Sequence, residues 1–185
     1  MSDAAGGKPR NIAVHLTEMA ALQPSRPAVI CARGCDAQGA IAYERLSFAQ
    51  LEEASNRLAN GLAASGIGRG VRTALMVPPG LDFFALTFAL FKLGAVPVLI
   101  DPGIGIRNLG GCLARARPAA FIAIPKAHAA RVLLGWARTT VEINVTVGTK
   151  WFWGGETLDR LRACTPSGSP FTAIEPSPHE IAAIL

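Results

Sequence analysis

The chain has 185 residues, half of them hydrophobic, and a formal charge of +5, which excludes a disordered chain and leaves enough apolar material for a sizeable core. The charge is uneven, because Pro102 to Val141 carries Arg107, Arg115, Arg117, Lys126, Arg131 and Arg138 with no Asp or Glu among them. No aromatic interleaving or reader motif accompanies these cations, which argues against nucleic acid and leaves two readings: solvated helix faces, or a docking face for acidic pathway partner proteins or an anionic surface.

Residues 1–10 are polar and unpatterned and read as a loose amino terminus, with 11–185 as one folded unit. Asn11 offers an N-cap for a helix through Leu22, with Ile12, Leu16 and Met19 on its apolar face and Pro24 beyond its end. Two strands, Pro27 to Cys31 and Ala40 to Tyr43, flank a Gly-containing loop at 34–39 and read as a hairpin. Ser47 to Gln50 is a capping box that opens a helix with Leu51, Ala54, Leu58 and Leu62 at helical spacing, ended by Gly66.

A strand Val71 to Val77 then leads through Pro78-Pro79-Gly80 into a helix from Asp82 to Leu93 that is apolar nearly all round. Both flanks of that helix must therefore be protein. Asp82 and Lys92 sit where they complement the helix dipole, and Gly94 is expected in the left-handed conformation, turning the chain into a buried strand at 96–100. A helix from Ile106 to Ala116, a strand Ala119 to Ile124, a helix Ala127 to Ala137 and a strand Glu142 to Val147 continue the alternation. Trp151-Phe152-Trp153 form an aromatic turn, a short helix runs from Glu156 to Ala163, 165–178 reads as surface loop, and 180–185 reads as the start of a buried strand. The alternation specifies a layered α/β fold, a largely parallel sheet with helices on both faces.

The apolar stretch from Leu81 to Ile100 is interrupted by Lys92, Gly94 and Pro97, and the run before Gly94 is too short to cross ~30 Å of hydrocarbon. The four cysteines, Cys31, Cys35, Cys112 and Cys164, form no C-x-x-C pair, so no metal site is expected, and without a secretory leader pattern a reducing cytoplasm is the expected location. Gly103-x-Gly105 follows a strand, but Asn108 occupies the third glycine position and no acidic residue lies about 20 positions on, so a dinucleotide fingerprint fails. Ser167 and Ser169 lack a nucleophile elbow, and His15, His128 and His179 have no partner positioned by sequence. Asp101, at a strand exit where α/β proteins bind ligands, is weighed against a turn role; Trp151 and Trp153 are weighed as ligand platforms against packing; Asn144-Val145-Thr146 is set aside as a chance glycosylation match.

Taken together, LSFAQLEEASNRLANGLAASGIGRGVRTALMVPPG and LDFFALTFALFKLGAVPVLIDP at 46–102 resemble the opening of the adenylate-forming (AMP-dependent synthetase and ligase) superfamily. The longer stretch to about residue 155 is similar to the β-lactone synthetases of bacterial long-chain olefin biosynthesis. The resemblance implies a parent enzyme that uses ATP and Mg2+ to convert a long-chain 2-alkyl-3-hydroxy acid to an acyl adenylate and then a β-lactone. A fatty-acid AMP ligase or acyl-CoA synthetase piece, or a non-catalytic α/β interaction module, are the alternatives. The closing HEIAAIL resembles the strand before the family's phosphate loop, so 11–185 is expected to be the amino-terminal portion of the AMP-binding large domain, truncated before that loop. On this reading no catalytic, cofactor-binding or metal residue is expected in the chain, and the chain alone is expected to be inactive.

Overall fold

The computed structural model describes residues 10–35 and 39–185. In chain order the elements are α1 (Ala13–Leu22), β1 (Pro27–Cys35), β2 (Ile41–Ser47), α2 (Phe48–Ala64), β3 (Arg72–Met76), α3 (Leu81–Lys92), β4 (Val96–Val98), a 3-10 turn (Pro102–Ile104), α4 (Ile106–Ala116), β5 (Ala120–Ala123), α5 (Pro125–Leu134), β6 (Ile143–Thr146), β7 (Glu156–Thr157) and α6 (Leu158–Cys164). β1 and β2 form an antiparallel hairpin, and the five remaining strands form a parallel sheet in the order β4-β3-β5-β6-β7. The parallel α/β architecture expected from the alternation is present. Of the expected hairpin loop, 36–38 lie outside the described residues, as do 1–9 of the expected loose terminus.

Because side chains alternate along a strand, neighbouring residues serve opposite faces. Leu75, Ala120, Ile122 and Val145 face a core built with α1, α2, α3 and α6, in which Leu58, Leu62, Leu86 and Leu90 are fully buried. Each such leucine contributes roughly 1.5–3 kcal/mol relative to exposure. Ala74, Phe121 and Ala123 face a smaller core with Leu109, Leu113 and Ala116 of α4 and with Trp136.

The capping box of α2 is present in both directions, Ser47 accepting from the Gln50 amide and Gln50 accepting from the Ser47 amide. Gly94 adopts φ +62, the left-handed turn expected after α3, and none of the residues of α3 is exposed. Gly135, at φ +67, ends α5 before the expected Ala137.

Several expectations are corrected. α1 starts one residue later than expected: Ile12 shares an apolar groove with Leu16 and Met19 but is exposed, while Ala13 and Leu16 are buried. Asn11 caps the helix as expected, its Oδ1 accepting the Ala13 amide at 2.9 Å, and it also bridges elements distant in sequence, donating through Nδ2 to the carbonyls of Phe91 and Ile174. Glu156 and Thr157 pair with β6 rather than opening a helix, and Thr157 is the N-cap of α6. The segment 180–185 is not a buried strand; it makes one parallel bridge, Ile184 to Val98, and leaves Ile181 and Leu185 exposed.

Lys92 does more than complement a helix dipole. Its ammonium is fully buried, 2.8 Å from Glu52 Oε2 and 2.6 Å from Asn56 Oδ1. Glu52 Oε1 in turn accepts from Thr17 Oγ1 and Asn56 Nδ2, so one ionic cluster ties α1, α2 and α3 together. Burial pulls the Lys92 pKa below its ordinary value, and Glu52 opposes the shift.

Candidate substrate cleft at the carboxyl ends of the strands

In an open parallel sheet the carboxyl ends of the strands are where backbone leaves the layer and a crevice forms. Here the exits of β3, β4 and β5 open onto a cleft of about 460 Å³ lined by Leu75, Met76, Val77, Pro78, Pro79, Phe83, Leu99, Ile100, Ile124 and Ala127. Asp101 is the one charged residue in its wall. Aliphatic strand ends supply the floor, and Pro78-Pro79, which cannot extend a ladder, turn the chain up into α3 as the rim. A hollow of similar size on the other side of Asp101 shares Leu99 and Ile100 and adds Cys112, Arg115 and Ile184. Such walls suit an apolar chain.

Asp101 serves the turn. Its Oδ1 accepts the Gly103 amide at 2.7 Å, and its side chain is exposed. The Gly103 amide is thereby engaged within the turn. Asn108 donates to the Ile104 carbonyl, closing the same loop on itself. Among the described residues no group of three or more His, Cys, Asp or Glu converges as a metal site.

The structure disperses the other sequence candidates. His15 lies exposed beside Glu18, His179 and Ser167 are exposed, and Ser169 is half-buried in the same loop. The four cysteines are free, Cys35 and Cys164 exposed and Cys31 and Cys112 half-buried.

His128 and the aromatic turn are brought together instead. The His128 ring stacks on buried Trp153 at 5.1 Å between centroids and 7° between planes, and it meets Phe121 edge-on. Its Nε2 donates to the Val145 carbonyl at 3.0 Å, while Trp153 Nε1 donates to Thr146 Oγ1. Burial lowers the His128 pKa; the Val145 carbonyl opposes that shift and the nearby Arg131 guanidinium adds to it. Asn144 accepts from Arg131 and donates to the Trp153 carbonyl, so Asn144 and Thr146, the ends of the chance glycosylation match, are structural anchors. Trp153 packs, whereas Trp151 and Phe152 stay exposed. Arg131 is buried over the Phe121 ring at 5.3 Å, so it does not belong to an outer cationic face as its place in the basic run suggested. What the sequence reading missed was the cleft wall itself; its signal was the Pro-Pro-Gly turn at a strand exit.

The protein-family model of the AMP-binding enzymes matches residues 16–185. The chain is 48% identical over 180 residues to an olefin β-lactone synthetase of Stenotrophomonas maltophilia, covering 96% of this chain and 32% of that protein. It is also 48% identical over 176 residues to an olefin β-lactone synthetase of Xanthomonas campestris, covering 95% and 31%. The chain thus spans about a third of the length of these relatives. Among solved structures, a long-chain-fatty-acid-CoA ligase of Archaeoglobus fulgidus superposes with TM-score 0.77 at 19% identity over 96% of this chain and 34% of that one. An anthranilate CoA ligase with bound anthranoyl-AMP superposes with TM-score 0.76 at 18% identity over 99% and 33%. Those two identities speak to fold alone, but the family match runs across nearly the whole chain, from α1 through the parallel sheet and its cleft, and the chain belongs to the AMP-binding enzyme family.

Proposed function

We propose that residues 11–185 are the amino-terminal portion of the large domain of an ATP-dependent ligase that activates a carboxylic acid as its acyl adenylate. In the parent enzyme the acid is a long-chain 2-alkyl-3-hydroxy acid. Its carboxylate displaces pyrophosphate from ATP, and its 3-hydroxyl then attacks the activated carbonyl, closing a β-lactone and expelling AMP. The observation that carries this reading is the 48% identity to two olefin β-lactone synthetases across nearly all of this chain. The aliphatic cleft at the strand exits supports it as a wall for an alkyl chain.

ATP and Mg2+ belong to the parent enzyme, and no residue of this chain takes a catalytic, nucleotide or metal role. No helix of the described residues is long and apolar enough to cross a membrane, and we place the enzyme in the cytoplasm. Exposed Arg115, Arg117, Lys126 and Arg138 remain available to an anionic partner.

The test is acid-dependent exchange of pyrophosphate into ATP by the parent enzyme, with mass spectrometry of the product. A product lighter than the acid by one water is the β-lactone. A thioester formed only with coenzyme A moves the assignment to an acyl-CoA synthetase. Exchange catalysed by residues 1–185 alone would show that a functional site within them has been missed.

A further inference from the structure

We infer that the outer surface of the α4–α5 layer is a peripheral docking face for an anionic lipid surface. The inference concerns a surface and stands apart from which acid the parent enzyme activates.

Exposed apolar side chains concentrate here. Leu133 is 79% exposed, Phe152 67% and Trp151 63%, with Leu134 and Val132 also exposed. On α5, Leu133 lies two residues from buried Arg131, about 200° around the axis, so it points away from the sheet; Lys126, seven residues earlier, falls on the same outward stripe. The aromatic turn joins this side because Trp153, which touches both Trp151 and Phe152, stacks on His128 of α5.

The cations of this layer are unpaired. Among the described residues no carboxylate forms an ion pair with Arg115, Arg117, Lys126 or Arg138, whereas Arg69, Lys92, Arg160 and Arg162 elsewhere each have one. The exposed carboxylates nearest in sequence, Asp101 and Glu142, flank the run at its two ends.

A hollow of about 430 Å³ just past α5 is lined by Arg117, Arg138, Thr139, Thr140 and Gly135. Two guanidiniums and the Thr139 hydroxyl suit a phosphate headgroup, the Thr140 hydroxyl donating instead to the Ala137 carbonyl. Arg117 at φ +50 and Ala137 at φ +46, the non-glycine residues with positive φ among those described, both line this hollow. Strained backbone held in place at a polar hollow is a feature of binding sites. Cations for headgroups, with Leu and aromatic side chains on a convex helix for the acyl boundary, are the composition of a surface-lying membrane contact. A protein partner would need its own pocket for each protruding side chain.

The experiment is co-sedimentation of the 185-residue chain with phosphatidylcholine vesicles, pure or mixed with phosphatidylglycerol, from low to high salt. Expected is binding to the mixed vesicles that weakens with salt. It should fall on the order of tenfold or more in the Arg117→Glu, Arg138→Glu double variant, each exposed cation carrying roughly a fivefold effect. Leu133→Ser with Phe152→Ser should lower binding at every salt concentration. All four side chains are solvent-exposed; should the reversals unfold the chain by circular dichroism, Arg117→Gln with Arg138→Gln replaces them. No binding, equal binding to neutral vesicles, or indifference to the reversals overturns the inference. Salt-sensitive binding to polyglutamate in preference to vesicles overturns it too, in favour of an acidic protein.

Discussion

The two helical layers that cover the sheet are built on different principles. The α1–α2–α3–α6 layer closes over the larger core and pairs most of its charges, among them Lys92 with Glu52, and Arg162 with Asp82 and Asp159. The α4–α5 layer closes over a smaller core of alanines, leucines and two aromatics, and leaves its outer cations without partners. The helix ends differ within the second layer: α5 ends on Gly135 at positive φ, as α2 and α3 are followed by Gly66 and Gly94, while α4 ends on Arg117, which pays the steric cost of a Cβ in the left-handed region. One layer is built for stability. The other retains unpaired charge and strain that stability does not require.

The most severe way to break the first layer is to remove one member of its buried ion pair. Lys92→Ala leaves the Glu52 carboxylate facing Asn56 across an emptied site, and a cost of about 3–5 kcal/mol is expected. Replacing Lys92 by Met and Glu52 by Leu together should recover most of that loss, since no charge is then stranded. Denaturant unfolding of Lys92→Met, Glu52→Leu and the double variant forms a cycle, and additive losses would show that the pair is not coupled.

Gly94→Val comes next, with an expected loss of about 1–3 kcal/mol read from the thermal midpoint. A Cβ at Gly94 meets only ordinary contacts, Arg69 Cγ at 3.5 Å and Ile174 at 3.6 Å. The loss would therefore report φ +62 in a β-branched residue rather than crowding. An unchanged midpoint would mean that the helix can turn into β4 without the left-handed residue.

Gly94 was legible in the sequence because its signal is local: an apolar helical run, a glycine, then VPV. The capping box of Ser47 and Gln50 was legible for the same reason. Lys92 was misread because its partner lies 40 residues away, and only the packing of α3 on α2 brings Glu52 within reach. Arg131 looked like a surface cation for the same reason; its burial depends on Phe121 and Asn144, one on each neighbouring strand. β7 is two residues long, too short to show an alternation. The cleft was half legible: Asp101 marked a strand exit correctly, but the walls come from three strands and a proline turn that no single window contains.

In the second layer His128 makes stability depend on pH. Its pKa in the fold is below the ordinary 6.5, so over the interval between the two values the unfolded chain binds more protons. Stability should be fully present above 6.5, fall as the pH drops through the interval, and level off once the buried ring is also charged. The groups facing the ring from α5, β5, β6 and the aromatic turn are Arg131, Phe121, the Val145 carbonyl and Trp153; none is a carboxylate that would hold a proton there. His128→Gln, which offers an amide donor to Val145 and does not titrate, should flatten this acid limb in thermal midpoints taken from pH 8 to 5. A limb that persists unchanged would assign it to other groups.

The smallest effect expected is a gain. Arg117 caps α4 at φ +50 and ψ +57, and glycine takes that conformation without the Cβ clash, so Arg117→Gly should stabilise the chain by about 1 kcal/mol. The substitution costs no internal ion pair, because Arg117 has none among the described residues, and its amide can still donate to the Leu113 carbonyl. In the first layer the corresponding exchange is already in place at Gly66 and Gly94, so the gain is available only where the cap is not glycine. A higher thermal midpoint together with weaker binding to anionic vesicles would mean that this layer keeps a strained arginine for what it touches. A midpoint that stays put or falls would mean that the Arg117 side chain contributes packing sufficient to offset the strain, and the contrast between the layers would then rest on their charges alone.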